Sequence, residues 1–363
     1  MKQKTTLIFA TLTAALATSY AVASVGKQFS VEPSVEQILY DQIYETSEFL
    51  QMIDTQMVDD LVGQPITLSV SGGITSRAGV ETDPAKKRQP KNVLGLDDRE
   101  YRLYPTECDV YIPWHMMDKW AKFPDFAKRF RAHVKQQMAL DIIKIGFHGI
   151  TAAAVSDPDT YSMGEDVNIG WLQLVRRDRS VNALDGSAGT QKADEIRIGE
   201  GGDYENLDCA VHDLLQGIPE HKRTGMVAII GADLLAKDKG RMYETQAHTP
   251  SEKGKIELKQ VIETYGSLPS YKVSFFPTRG VMVTSFDNLQ YLIQEGSTRV
   301  SIKDNQESKR VEDFNSRNDG YFIADLDRII FFESANVKLS RIKDPAVLEN
   351  DFDATNPLHY VWS

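Results

Sequence analysis

Cysteine is almost absent from this chain of 363 residues, where only Cys108 and Cys209 carry thiols. They lie about a hundred positions apart, outside any CxxC and with no histidine at ligand spacing. That excludes a zinc knuckle or a disulfide scaffold and leaves room for at most one long-range bridge. Positive charge is also in deficit, with 41 Lys and Arg against 52 Asp and Glu, so the net charge is −11. A nucleic-acid binder of the usual basic kind is excluded, and any contact with DNA or RNA has to be local. The seven histidines are dispersed, none with another three or four residues on, so no helical metal pair exists. GxSxG, HExxH, GxxxxGK and kinase-type signatures are missing as well, and no period of 20 to 50 residues recurs. The sequence therefore predicts no catalytic residue, no metal and no cofactor. What is present is an ordinary globular balance, 41% hydrophobic and 26% charged. At roughly 150 residues per domain, the length implies about two domains or one elaborate one.

The N-terminus has two readings. Met1-Lys2-Gln3-Lys4 precedes an uncharged stretch from Thr5 to Val25, and Ala21-Val22-Ala23 supplies small residues at cleavage-site spacing. Basic start, apolar middle and A-x-A ending are the parts of a secretory signal. Thr5, Thr6, Thr11, Thr13, Thr18 and Ser19 dilute the apolar run, which speaks against a permanent span and leaves an amphipathic or weakly ordered leader as the other reading.

Past the leader, Ser34-Val35-Glu36-Gln37 has capping-box spacing and predicts a helix start. Val35, Leu39, Ile43, Leu50 and Ile53 keep one face apolar as far as Asp54, while Glu36, Asp41, Glu45 and Glu48 make the remainder acidic. From Ile66 the period changes to two, with Leu68 and Val70 on the same face, and Cys108, Val110 and Ile112 form a second alternating run. Between them lies a polar stretch with Lys86, Lys87, Arg88 and Lys91 among prolines, which predicts a long projecting loop. Pro124-Asp125 opens the clearest helix, to Phe147, about 35 Å long at 1.5 Å per residue. Phe126, Phe130, Val134, Met138, Ile142 and Ile145 stripe one side; Lys128, Arg129, Arg131, Lys135 and Lys144 make the other cationic, a solvated face or a dock for an acidic neighbour such as the first helix. Helical spacing over Tyr204–Gly217, a buried run Met226–Ile230 and a helical pattern Ala232–Lys237 predict an α/β layer. Tyr271–Phe276, Val281–Phe286 and Tyr321–Phe332 supply later strands.

Two clusters invite chemistry and do not sustain it. Gly199-Glu200-Gly201-Gly202 resembles half a dinucleotide fingerprint, but Ile196–Ile198 is a short lead-in strand and the third glycine is misplaced, so a turn is the better reading. Asp157, Asp159, Glu165 and Asp166 could share a cation, but the EF-hand register fails at Tyr161, and a solvated acidic loop is preferred.

A series of short words in order carries a resemblance. Phe29 to Val35 with Glu48-Phe49-Leu50, Arg88-Gln89-Pro90-Lys91, Glu107-Cys108-Asp109, Asp118 to Phe126, Leu140-Asp141, Gly146-Phe147-His148-Gly149, Val167 to Gln173, and Gly199 to Tyr204 fall where major capsid proteins of peduovirus-type tailed phages have similar words. The resemblance spans Phe29 to Val337; family leaders are richer in charge than this one.

The resemblance implies an α+β fold of the Hong Kong 97 type. Its parts would be a leader (1–29), an N-terminal arm (30–61), an extended two-stranded loop (62–113), a peripheral domain (114–165 and 289–345), an axial domain (166–288) and a tail (346–363). The strands ending the chain would return to the peripheral domain. The implied function is a non-enzymatic subunit of an icosahedral phage head around double-stranded DNA. It would assemble in the host cytoplasm as hexamers and pentamers with scaffold, maturation protease and portal, and without a membrane partner. A processing junction would lie at Gln28, Phe29 and Ser30, and Lys86, Lys87, Arg88 and Lys91 would touch an adjacent subunit. The competing reading is an exported hydrolase or binding protein cut near Ala23.

Overall fold

The computed structural model describes residues 3–20, 22, 24–26, 28–64, 66–67, 95–96, 99–120, 123, 126–187, 189–199, 201–238, 264–342 and 360–362. Elements are numbered in chain order. The predicted spine is helix α5 (Phe126–His148), whose Ile142, Ile143, Ile145 and Phe147 are buried. It meets α6 (Trp171–Asp178) at a seam where Gly146 and Gly170 bring the backbones close. A Cβ on Gly146 would lie 2.3 Å from the Trp171 ring, and one on Gly170 would lie 2.4 Å from the Gly146 carbonyl oxygen. Only glycine permits that approach. Trp171 fills the seam, fully buried, donating its indole N–H to the Gln290 carbonyl at 2.9 Å and ringed by Phe49, Phe147 and Tyr321.

Against this core lies a seven-stranded sheet ordered β1 (Phe29–Ser30), β16 (Arg299–Asn305), β17 (Arg310–Ile323), β15 (Leu289–Gln294) and β2 (Asp54–Val58), with β7 (Tyr104–Glu107) and β8 (Val110–Pro113) also on β17. Only β2 runs parallel to its neighbour. The helix expected from Ser34 to Asp54 is two, α2 (Pro33–Tyr44) and α3 (Glu48–Met52). Its cap is Glu32, which makes no side-chain capping bond; the proline behind it presets the first-turn φ and moves the start ahead of the serine. α2 packs on α5, and Lys135 Nζ donates to Gln42 Oε1, so the acidic helix is a neighbour of the cationic one.

A second layer holds a six-stranded sheet, β12 (Thr264–Tyr265), β13 (Leu268–Tyr271), β11 (Val227–Ile230), β14 (Val281–Thr284), β18 (Ile330–Phe332) and β9 (Ala183–Leu184). Helices α7 (Leu207–Gln216) and α8 (232–238) accompany it. Beside it, β10 (Ile196–Ile198), β19 (Val337–Ile342) and β20 (Tyr360–Trp362) form a three-stranded sheet. The continuous strand expected over Tyr321–Phe332 breaks after Ile323 at a 3-10 turn, Leu326–Arg328, and the one expected over Tyr271–Phe276 ends at Tyr271. Thus β15 to β17 join the large sheet, whereas β18 and β19 pair with β14 and β10. The break lets the chain change sheets.

In the expected loop segment, β3 (Val62–Gly63) pairs antiparallel with β6 (Tyr101–Arg102), and β4 (Ile66–Thr67) with β5 (Gly95–Leu96). Lys86, Lys87, Arg88 and Lys91 lie outside the described residues. The glycine-rich stretch is a turn, with Gly199 and Gly201 at φ of 138° and 75° and the Gly202 N–H donating to the Gly199 carbonyl. Both cysteines are free thiols.

Candidate functional site

The leader is part of the folded subunit. Helix α1 (Gln3–Ser19) lays Leu12 and Leu16, with Tyr20 just beyond its end, into a cluster with Ile112, Met117, Phe126, Val300, Ile302 and Val311. Leu12 is 1% and Leu16 5% exposed, because a spacing of four puts them on one face. No helix among the described residues is long and apolar enough to cross a membrane. The apolar character that suggests a secretory signal is spent on α4 (Trp114–Trp120), α5 and β16.

The predicted junction follows. Gln28 and Ser30 are exposed, Phe29 is half-buried, and the backbone of Phe29–Ser30 pairs with Val300 and Arg299. On either side, Ile302 N–H donates to the Val25 carbonyl at 2.9 Å and Val31 N–H to the Thr298 carbonyl at 2.9 Å. Ser30 Oγ donates to the Gly296 carbonyl, and the Phe29 ring lies 5.6 Å from that of Tyr20. The four cationic loop residues are not brought to this place, since they fall outside the described part of the chain.

Behind the junction is a residue that sequence reasoning misplaced. Glu36, expected on the solvent side, is fully buried, and its carboxylate accepts the Gly296 N–H at 2.6 Å and the Thr298 N–H at 3.1 Å. It ties α2 to the turn between β15 and β16. Spacing could have found it, since Glu36, Tyr40 and Ile43 stand at i, i+4 and i+7 on the buried stripe. Tyr40 continues the seam with a 2.9 Å hydrogen bond to Thr298.

Farther along β17 sits a buried ion pair, Arg317 Nε to Asp319 Oδ2 at 2.8 Å. Asp319 also accepts from Thr106 Oγ1, Asn168 Nδ2 and the Tyr291 hydroxyl, so β7, β15 and the segment before α6 converge on one carboxylate of β17. Arg317 Nη1 reaches Cys108 Sγ, whose thiol is pushed up by burial. Asp313, six residues earlier, has one side-chain donor among the described residues, Asn315 Nδ2, and burial raises its carboxyl to about 6, with the nearby Asp109 adding to the shift. Burial likewise pushes the Tyr20 hydroxyl up to about 12, with Asp313 contributing.

An open groove of about 1480 Å³ crosses the second layer, lined by Asp185, Asp203, Asp208, Asp213, Cys209 and His212 among others. Its carboxylates are engaged in holding the chain. Asp203 accepts the Gln191 and Arg197 amides, Asp208 the Gly266 amide and Asp213 the Tyr204 hydroxyl. Asp157 similarly accepts from the Thr160 hydroxyl and the Asp159 amide. The Asp157 contacts build a turn, whereas those of Asp203 and Asp208 tie together segments 12 and 58 residues apart.

Comparison with known proteins adds a family. The family model described as phage major capsid protein, P2 family, matches residues 8–335. The chain is 33% identical over 307 residues to the "Capsid proteins" of Escherichia phage P2, covering 83% of this chain and 85% of that one. It is 28% identical over 318 residues to the "Major capsid protein" of Serratia phage KSP20, covering 86% and 90%. Among solved structures, a chain of the satellite phage P4 procapsid including size determination (Sid) protein matches with a TM-score of 0.74 and 31% identity, over 93% of this chain and 99% of that one. The match to the family model begins at residue 8, so the apolar leader falls within the family's span, ahead of the Phe29 start given by the sequence words.

Proposed function

The chain belongs to the P2 family of phage major capsid proteins, and from that premise we propose how its parts build a shell. It is a structural subunit that self-assembles into the symmetric head of a phage virion in the host cell, on an α+β fold of the Hong Kong 97 type. The extension to hexamers and pentamers around a scaffold, with a portal at one vertex and double-stranded DNA inside, is our reading. The observation that carries it is the likeness to the P4 procapsid chain over nearly the whole of both chains. The acidic balance suits such a container, because a broadly cationic inner wall would hold packaged DNA through counterion release.

In this reading, residues 30–61 form the arm and 62–113 the extended loop. The seven-stranded sheet with α5 is the peripheral part, and the six-stranded sheet with the three-stranded one beside it is the axial part, the end of the chain lending β18 to the first of these and β19 to the second. Residues 1–29 are an assembly leader removed by a maturation protease at the junction of Gln28, Phe29 and Ser30. Intact-mass measurement of subunits from mature particles tests the cut; a mass beginning at Met1 refutes it. Lys86, Lys87, Arg88 and Lys91 rest on the acidic surface of an adjacent subunit. Each exposed pair there is worth only about 0–1 kcal/mol, so the effect is collective. Changing Lys86, Lys87 and Arg88 to glutamate should lower particle yield in a salt-dependent way and leave thermal unfolding of the subunit unchanged. Normal yield at low ionic strength, where screening is weakest, would remove this role.

A further inference from the structure

The junction is clamped on both sides. Val25 and Val31 are each 2% exposed, their backbone groups bond Ile302 and Thr298, and Phe29–Ser30 between them pairs with β16. A protease that reads an extended segment needs that segment's backbone groups for its own edge, and here they are already taken. A two-residue strand cannot hold itself on a sheet. What holds it is the neighbouring apolar contact, where Leu12, Leu16 and Tyr20 share one cluster with Val25, Val31 and Val300 and the Tyr20 ring lies against Phe29.

We propose that the docked leader helix masks its own cleavage junction, so that release of α1 from the face formed by Met117, Phe126, Val300, Ile302 and Val311 is the step that opens residues 25–31 to a protease. This rests on the reading that the junction is cut, and adds what controls when. The contact is autoinhibitory. Before release Phe29–Ser30 is a strand of the sheet, and after release it is an unpaired chain beside an uncovered apolar face. Cleavage then follows the population of the open form whenever opening and closing are fast relative to cutting.

The test uses the purified full chain and a limiting amount of a broad-specificity protease, with fragment N-termini sequenced. Replacing Leu12 and Leu16 together by alanine should raise the cutting rate within residues 25–31 by about tenfold or more. Hydrogen exchange at the Val31 and Ile302 amides should quicken in step, while Val227–Ile230 keep their protection. An unchanged cutting rate in that folded variant overturns the proposal. The opposite change is made at Thr18, which is exposed and whose Oγ1 bonds back to the Ala14 carbonyl. Thr18→Ala should steady α1 and slow cutting by about twofold. If the leucine variant loses protection at Val227–Ile230 as well, the Thr18 arm decides, and unchanged or faster cutting there overturns the proposal. Subunits of mature particles that still begin at Met1 would refute the processing reading while leaving these rate ratios intact, so the two failures are distinguishable.

Discussion

Strand β17 passes beneath two regions, and its two ends are held by different means. At Asp319, Tyr321 and Ile323 it lies in the core around Trp171, where helices α2, α3, α5 and α6 and strand β15 converge and one carboxylate takes four side-chain donors. At Val311 and Asp313 it lies in the region seated by the leader, and the carboxylate there has one side-chain donor among the described residues. Buried charge is tolerated where it is fully partnered and is costly where it is not. The carboxylate at the first end is therefore held in its charged form by its partners, whereas the one at the second is held at a cost.

The largest effect is expected at the Asp319 end. Trp171→Ala removes the ring that fills the glycine seam and its bond to Gln290, and should cost about 3–5 kcal/mol in denaturant unfolding of the subunit. A loss below about 1 kcal/mol would mean that the seam collapses around the gap. Asp319→Ala should cost a similar or slightly smaller amount, about 3–5 kcal/mol, because it leaves the buried Arg317 guanidinium without its counter-charge. Asp319→Asn measured beside it separates charge from shape, and equal losses in both variants would assign the effect to packing.

At the Asp313 end the effects are smaller and one has the opposite sign. Asp313 is raised from 3.8 to about 6 in the folded chain, so between those values the folded state binds more protons than the unfolded one. Its contribution to stability therefore falls as pH rises from about 4 to about 6 and is constant above that range. Asp313→Asn should raise the melting temperature at pH 7 and flatten that part of the pH profile; a profile unchanged by the substitution would show that burial there does not penalise the charge. A smaller loss is expected for Leu12→Ala with Leu16→Ala, which should move the global transition by about 1.4 kcal/mol, the equivalent of a tenfold rise in the open population, since a docked terminal helix opens locally at lower free energy than the whole domain. A loss of several kcal/mol would make the leader a cooperative part of the core and erase the contrast between the two ends of β17.

Much of this was legible in one dimension. The α5 stripe, α7, β11 and the alternation at Ile112 follow from periods of 3.6 and 2, because side-chain direction in a helix or strand is fixed by the backbone alone. The capsid words were legible too, and the fold gives a physical reason for two of them: the glycines at 146 and 170 and the tryptophan at 171 are the pieces of a single close-packed seam.

What only the tertiary structure decided are relations between distant segments. The apolar leader read as a secretory signal or as an amphipathic or weakly ordered leader, since hydrophobicity states that a face must be covered and leaves the cover unnamed. Glu36 looked like solvent-facing charge until its partners, some 260 residues away, were in place. Asp313 and Asp319 are the same residue type on the same strand, and no local pattern separates them. Sequence by itself determined many of the elements and the family, because both are written in near-neighbour spacing. Which carboxylates are satisfied, which strand changes sheet and what seals the junction depend on groups brought together by folding, and their energies exist only after that meeting.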